Sequence, residues 1–264
     1  MKKIVISALK GGTGKTVITF NIAALLATEY NKKILIIDID PQHNMSNIFR
    51  QEGDYQNTTS TTEDLFERGI EASELVQKTH IQNIDTINTT LTLTATELRI
   101  VGLAGRESIL KNWFNDNEEF LNRYDYVFFD CNPTMSILNI NVYINADSII
   151  LITDIDIDGM QAVSTFLELY YPIQKRIDSK SENNVKGIII NKRNDSTKIT
   201  KDFLEFAYSD DFDYQDILFE NNIHNSTAIS ETKVNREPIN PKRDQRSHNE
   251  LIDIIEEMKE RGVL

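Results

Sequence analysis

Ile4-Val5-Ile6-Ser7-Ala8-Leu9-Lys10-Gly11-Gly12-Thr13-Gly14-Lys15-Thr16 decides the fold of this 264-residue chain. A short apolar run leads into a glycine-rich loop, and Val17 to Leu26 then reads as a helix. Strand, loop and helix in that order is the setting in which such a loop binds phosphate. Glycines let backbone N–H groups turn toward an anion, because no Cβ blocks the required dihedrals. The following helix adds unpaired N–H groups and the positive end of its dipole. Lys15 is placed to reach terminal phosphates, and the Thr16 hydroxyl to ligate Mg²⁺.

Working outward, further apolar runs end in polar residues. Ile34 to Ile37 leads into Asp38-Ile39-Asp40-Pro41-Gln42. Tyr126 to Phe129 leads into Asp130-Cys131-Asn132-Pro133, Ser148 to Thr153 into an aspartate-rich turn, and Val185 to Ile190 into Asn191. Continuous apolar runs of this length are strands buried on both faces, as in parallel sheets. The carboxylates fall at their carboxyl ends, where ligands of such sheets lie. The expected fold is α/β, a mostly parallel doubly wound sheet flanked by helices, in a single domain over residues 1–264.

The loop departs from G-x-x-x-x-G-K-S/T. Leu9 stands where the first glycine belongs, and a second lysine, Lys10, follows it. The sequence therefore resembles the deviant Walker A ATPases, the superfamily of ParA partition proteins and MinD cell-division regulators, whose motif is K-G-G-x-x-K-S/T. The resemblance implies a P-loop NTPase that hydrolyses ATP with Mg²⁺ as a sandwich homodimer. Lys10 falls on the lysine that reaches the phosphates held by the partner subunit. Gly11, Gly12, Thr13, Gly14, Lys15, Thr16 and Val17 would wrap the nucleotide. Asp38 to Gln42 matches switch I, with Asp40 orienting the attacking water and Asp38 near the Mg²⁺ shell. Asp130 to Pro133 matches switch II, with Asp130 joining Thr16 at the metal. Asn191 matches the strand-end asparagine that bonds adenine, and Pro238 the segment whose backbone lies near the base.

Net charge is −13, so DNA contact needs a local basic patch. Lys233, Arg236, Lys242, Arg243 and Arg246 form the densest one. The single cysteine, Cys131, excludes an intrachain disulfide and the paired cysteines of an iron–sulfur carrier. Cys131 reads as a packed small side chain. The histidines are scattered, and no run approaches the ~18 apolar residues of a membrane span. A soluble, cytoplasmic, nucleoid-associated protein is expected. The start at the first strand leaves no room for an N-terminal winged-helix extension.

Elsewhere the signals are weaker. Thr58 to Thr62 with Glu63 suggests the N-cap of a helix through Arg68. A short strand is expected over Ile84 to Ile87, and helices over Thr94 to Leu103 and Arg106 to about Asn122. Leu110, Trp113, Phe114 and Leu121 read as core of the latter. Asp154-Ile155-Asp156-Ile157-Asp158 lacks the glycine and glutamate of a calcium loop. It reads as a solvated connection, with Asp158 capping a helix over Met160 to Tyr170. Helices are also expected over Thr197 to Tyr208 and Asn249 to Arg261. Positions 44 to 120 contribute little to the functional reading.

Near the end, Ile223 to Glu231 resembles the family's I-P-R-x-x-x-x-S-E segment, but His224 replaces the proline and Asn225 the arginine. The function implied is DNA segregation of a plasmid or chromosome. The ATP-bound dimer would bind DNA nonspecifically, and a ParB-like centromere-binding partner would stimulate hydrolysis. The alternative is a MinD-like membrane-cycling ATPase, which shares the nucleotide motifs. The acidic outer side of the last helix argues against it. A tyrosine cluster of the kind carried by bacterial tyrosine kinases of this superfamily is missing from the C-terminal stretch.

Overall fold

The computed structural model describes residues 1–50, 60–177, 182–209 and 212–264. Thr58 and Thr59, part of the expected N-cap region, lie outside the described residues. The sheet has seven strands. In chain order they are β1 (Lys2–Ser7), β2 (Ile34–Ile39), β3 (Gln77–Lys78), β4 (Ile84–Ile87), β5 (Tyr126–Cys131), β6 (Ser148–Asp154) and β7 (Val185–Asn191). Their spatial order is β3-β4-β2-β5-β1-β6-β7, and only the edge strand β3 runs antiparallel. The expected mostly parallel, helix-flanked sheet is the fold observed.

Alternate residues of each central strand serve opposite faces. Ile4, Ile6, Ile34 and Ile36 pack beneath α1 (Lys15–Thr28) and the late helices. Val5, Leu35 and Ile37 join the core on the other face. Helix α1 is buried along almost its whole length, from Ile18 to Ala27, which suits its apolar sequence. Each fully buried Leu or Ile there contributes about 1.5–3 kcal/mol.

The register fixes the site. Ile6 pairs with Asp130, and Asp38 also pairs with Asp130 across β2 and β5. The loop after β1 and the acidic ends of β2 and β5 therefore lie side by side. Helix α2 (Asn44–Phe49) follows β2 at the same edge.

The segment between α2 and β5 is the least regular. Helix α3 (Thr62–Arg68) starts on a capping box between Thr61 and Asp64, within the expected region. It is followed by the short α4 (Ala72–Leu75). Helix α5 (Leu93–Ile100) stops short of the expected Leu103. Its buried residues are Leu93, Thr96 and Ile100, while Leu98, Val101 and Leu103 are exposed, so the spacing that marked them did not mark the core face. The helix expected over 106–122 is broken into a short turn, α6 (Ile109–Asp116) and α7 (Glu118–Leu121). Asn117 makes the break. Its side chain accepts from Ala72 N at 2.7 Å and donates to the Trp113 carbonyl at 2.9 Å, tying the joint to α4. Leu110, Trp113, Phe114 and Leu121 are core, as their spacing implied.

Helix α8 (Ile137–Asn145) precedes β6, and α9 (Ile157–Ile177) follows it. Helix α10 (Lys198–Ala207) and α11 (Thr227–Asn235) lead to α12 (Gln245–Glu260), capped by Asp244. Leu251, Ile254, Ile255 and Met258 of α12 are buried. Glu257, expected on the outer side, is buried too. It accepts from the Glu220 and Asn221 amides and pairs with Arg261. No helix among the described residues is long and apolar enough to cross a membrane.

Candidate functional site

The glycine-rich loop forms one wall of a cavity of about 360 Å³ at the carboxyl ends of β1, β2 and β5. Gly11, Gly12, Gly14, Lys15, Thr16 and Val17 line it, with Asp40, Asn44 and Pro133 from the two acidic strand ends. Gly14 is the N-cap of α1 at φ 97°, a left-handed conformation that costs other residues strain. A Cβ there would also lie 2.6 Å from the Asn191 amide nitrogen. That amide donates to the Thr13 carbonyl at 2.7 Å, holding the loop against the end of β7.

Lys15 is buried beneath the loop. Burial lowers its pKa, opposed by the charges of Asp130 and Asp40. The ammonium is thus already stripped of much of its water and aimed at the place where anionic oxygens would sit.

The two strand-end aspartates differ sharply. Asp38 is fully buried yet well served. Its Oδ1 accepts from Asp40 N at 3.0 Å, and its Oδ2 from Ser46 N at 2.8 Å and Ser46 Oγ at 2.7 Å. Burial still pushes its carboxyl up to about 6, against the pull of Ser46. Asp130, also fully buried, makes no hydrogen bond of standard geometry, though the Thr16 hydroxyl and the Lys15 ammonium lie near enough to favour its charged form. Burial raises its carboxyl well above the usual range, and neighbouring Asp38 adds to the rise. A buried carboxylate that lacks a well-formed hydrogen bond, with the Thr16 hydroxyl beside it, suits a hydrated divalent cation. No cluster of three or more metal-ligating side chains converges among the described residues. Magnesium does not need one, since it takes one or two carboxylates and phosphate oxygens. Asp40 sits at the cavity edge, its Oδ1 accepting from Gln42 N at 2.9 Å.

Cys131 is buried, and its thiol is pushed well above its ordinary range by burial and by Asp130. It is a packed, unreactive side chain.

Lys10 faces its own chain. It pairs with Asp156, and lies 3.6 Å from Asp154. The hydrogen bond to Asp156 raises the Lys10 pKa, and the same contact lowers that of Asp156. Lys192 joins the cluster 3.7 Å from Asp154 and donates to the Gly12 carbonyl. The aspartate turn after β6 is therefore a receptor for the loop's first lysine, not a solvated connection. Helix capping also differs from expectation. Asp156, not Asp158, accepts from the Gly159 amide at the start of α9.

The rest of the cavity wall is built by Asn191, Lys192, His224, Asn225, Ser226, Ile229, Ser230 and Lys233. Pro238 is not among its walls. Its neighbour Ile239 is buried, with its N–H donated to Asn21 Oδ1 at 2.8 Å. This contact seats the segment on α1.

The basic stretch is largely spent on its own chain. Arg246 pairs with Asp195 at 2.6 Å and Glu250 at 3.1 Å, Arg243 with Glu231 at 2.5 Å, and Arg236 donates to the Arg50 carbonyl. Lys233 and Lys242 remain exposed.

Residues 44–120 prove closely wired to the site. Ser46, which holds Asp38, also accepts from Thr89 N at 2.9 Å through the same hydroxyl. Glu63 then takes the Thr90 amide at 3.0 Å and the hydroxyls of Thr89, Thr90 and Thr92. A chain of hydrogen bonds thus runs from the Asp38 carboxylate to α3 and the start of α5. Thr61 to Glu63 carried a local capping signal. Nothing in the sequence pairs Ser46 with Asp38 or Glu63 with the threonines.

Loop, buried lysine, acidic strand ends and sheet order define a P-loop nucleotide-binding fold of the deviant Walker A kind. Residues 1–183 match the family model described as an AAA domain, and the chain belongs to that family, as a ParA-type member of the ParA/MinD group. The sporulation initiation inhibitor protein Soj of Bacillus subtilis is 26% identical over 239 residues, covering 90% of each chain. The apo structure of McdA from Cyanothece superposes with a TM-score of 0.82 at 20% identity, over 99% of both chains. A plasmid partition protein of Borrelia burgdorferi bound to AMPPNP does so with a TM-score of 0.79 at 18% identity, over 98% of this chain and 99% of that one.

Proposed function

We propose that this chain is a Mg²⁺-dependent ATPase of the ParA type that positions or segregates DNA cargo by cycling between a free state and an ATP-bound sandwich dimer. The observation that carries the reading is a buried Lys15 in the wall of a cavity rimmed by the glycine-rich loop and Asp40, with the buried Asp130 carboxylate close enough behind it to act on its charge. The loop amides and the start of α1 would hold the phosphates, with Lys15 as their counter-charge. Thr16 and Asp130 would hold the magnesium, with Asp38 supporting from behind. Magnesium, when bound, would neutralise charge on the phosphate oxygens. Asp40 would orient the attacking water, and Lys10 of the partner subunit would stabilise charge developing on the transferred group.

Switching follows from the hydrogen-bond chain. The turn at Asp38 to Gln42 is anchored through Ser46 to the 88–92 loop, so its rearrangement on hydrolysis would reach α3 and α5. The Borrelia plasmid partition protein, named above, supports the partition role. DNA contact would fall to exposed lysines such as Lys233 and Lys242, aided by Lys198 and Lys201 of α10. Binding would be sequence-indifferent, and a ParB-like protein would stimulate turnover. Nothing on α12 favours a membrane-cycling role, because its exposed side is acidic.

The test is a DNA titration with ATP, ADP and no nucleotide at several salt concentrations. We expect ATP-dependent binding with a log–log salt slope of about −2 to −4, from the few phosphates that so few lysines can neutralise. Binding that ignores the nucleotide would remove the switch.

A further inference from the structure

His224 lines the cavity, and the phosphate chemistry leaves it unused. The segment holding it extends the sheet beyond β7. Ile223 N donates to the Ile190 carbonyl and Asn225 N to the Arg193 carbonyl, both at 2.9 Å. These bonds pair residue 224 with Arg193, just past the strand end whose Asn191 holds the loop at Thr13, and His224 lines the same cavity as Asn191 and Lys192. With phosphates anchored at the loop, the base of a nucleotide would reach this part of the cavity. Ile229 supplies an apolar wall there, and Asn191, His224 and Ser226 supply polar ones.

The ring is fixed by α12. Glu250 Oε2 takes His224 Nδ1 at 2.7 Å and the His224 amide at 2.9 Å. Arg193 and Arg246 hold the other oxygen of the same carboxylate at 3.4 and 3.1 Å. A carboxylate flanked by two guanidiniums only accepts, so Nδ1 carries the proton. In the neutral ring Nε2 is then a bare lone pair, the tautomer being set by its partner. Among the described residues Nε2 has no protein hydrogen bond.

We infer that His224 selects the nucleobase: Glu250 holds its imidazole with Nε2 as an acceptor, which takes a hydrogen from the 6-amino group of adenine and opposes the 6-carbonyl oxygen of guanine. The inference rests on the nucleotide-site reading above and adds the determinant of its specificity. A site built to accept one hydrogen bond rejects the analogue that offers a lone pair instead, because both groups are then left unpaired.

The test compares ATP, GTP and purine riboside triphosphate, which lacks the 6-amino group. Each is titrated with Mg²⁺ at pH 8. The wild-type chain is expected to bind ATP about five- to tenfold more tightly than purine riboside triphosphate, and to bind GTP more weakly still. In His224→Ala the gap between ATP and purine riboside triphosphate should shrink to about twofold or less, with the affinity for purine riboside triphosphate itself almost unchanged. His224→Gln, which keeps an amide oxygen near the same reach, should restore part of the gap. That unchanged affinity also reports that the variants are folded. A gap that persists in His224→Ala assigns base recognition to Asn191 and overturns the inference alone. Wild-type protein that binds none of the three overturns the nucleotide-site reading, and the inference with it.

Discussion

The two ends of the glycine-rich loop are prepared in opposite ways. At one end Lys15 lies buried, with its pKa lowered by desolvation and its charge facing Asp130 and Asp40. At the other, Lys10 lies near the surface with its pKa raised, held by Asp156 and near Asp154 of its own chain. The first lysine of the motif is occupied within one chain, and the second is committed to the cavity. A site with both lysines preorganised would bind and turn over as a monomer. This one has half of its cationic complement ready and half tethered elsewhere. That division suits an enzyme whose full activity waits on a second copy.

Paired alanine substitutions break the comparison most forcefully. Lys15→Ala should cost about 100-fold or more in ATP affinity, since a desolvated charge-assisted contact to phosphate is lost. Lys10→Ala should leave the affinity of a single chain for ATP within about threefold, yet lower turnover about 10²–10³-fold and abolish ATP-dependent self-association. Equilibrium nucleotide binding, steady-state phosphate release and sedimentation separate the two. If Lys10→Ala loses ATP affinity as badly as Lys15→Ala, the two ends are equivalent and the contrast is wrong.

The carboxylates sharpen the same contrast, because the prepared end is strained without its ligands. Burial, with Asp38 beside it, holds the folded-state pKa of Asp130 well above the ordinary value, against the smaller pulls of Thr16 and Lys15. A carboxyl raised in the folded state stabilises most below its unfolded value, near pH 4, and loses that contribution as pH rises through the folded value. Asp130→Asn removes the group. At pH 7, without nucleotide, the variant should be more stable than wild type by about 1–3 kcal/mol. The difference should fade as pH is lowered toward 4. Magnesium with ATP should raise the melting temperature of the wild type and leave that of the variant almost unmoved. Parallel pH profiles for the two proteins would mean that Asp130 already has a partner.

How much of this was legible in the sequence follows from where the information sits. Strands β2, β5 and β6 are buried on both faces, so each appears as an apolar run, and its polar terminus marks the ligand edge; in β7 the run is Ile188 to Ile190, ending at Asn191. The loop is legible because phosphate binding needs glycines at fixed spacing. Residues 44–120 are not, because their order comes from tertiary contacts. Asn117 breaks a helix by bonding across to α4, and Ser46 matters through an aspartate eight residues earlier. The acidic turn after β6 was misread for the same reason. Its alternate aspartates look solvent-facing until the fold brings Lys10, 146 residues earlier, against Asp156. The basic stretch near the C-terminus shows the converse. Composition counts arginines, but Asp195, Glu231 and Glu250 neutralise them in three dimensions.

The smallest expected effect tests the tether itself. Asp156 is about half exposed, and its contact with Lys10 is a partly solvated ion pair. Such pairs are worth up to about 1 kcal/mol. If Lys10 must leave Asp156 to serve a partner's phosphates, the pair subtracts its own free energy from dimerisation, twice in a symmetric dimer. Asp156→Asn keeps the side chain's shape and its acceptor for the Gly159 amide while removing the charge that holds Lys10. ATP-dependent self-association should then tighten by about two- to fivefold per released lysine, with single-chain ATP affinity unchanged. Analytical ultracentrifugation with a slowly hydrolysed ATP analogue measures it. Weaker association would show instead that Asp156 works across the dimer interface. The double variant of Lys10→Ala with Asp156→Asn separates the cases, since a tether has nothing left to release once Lys10 is gone.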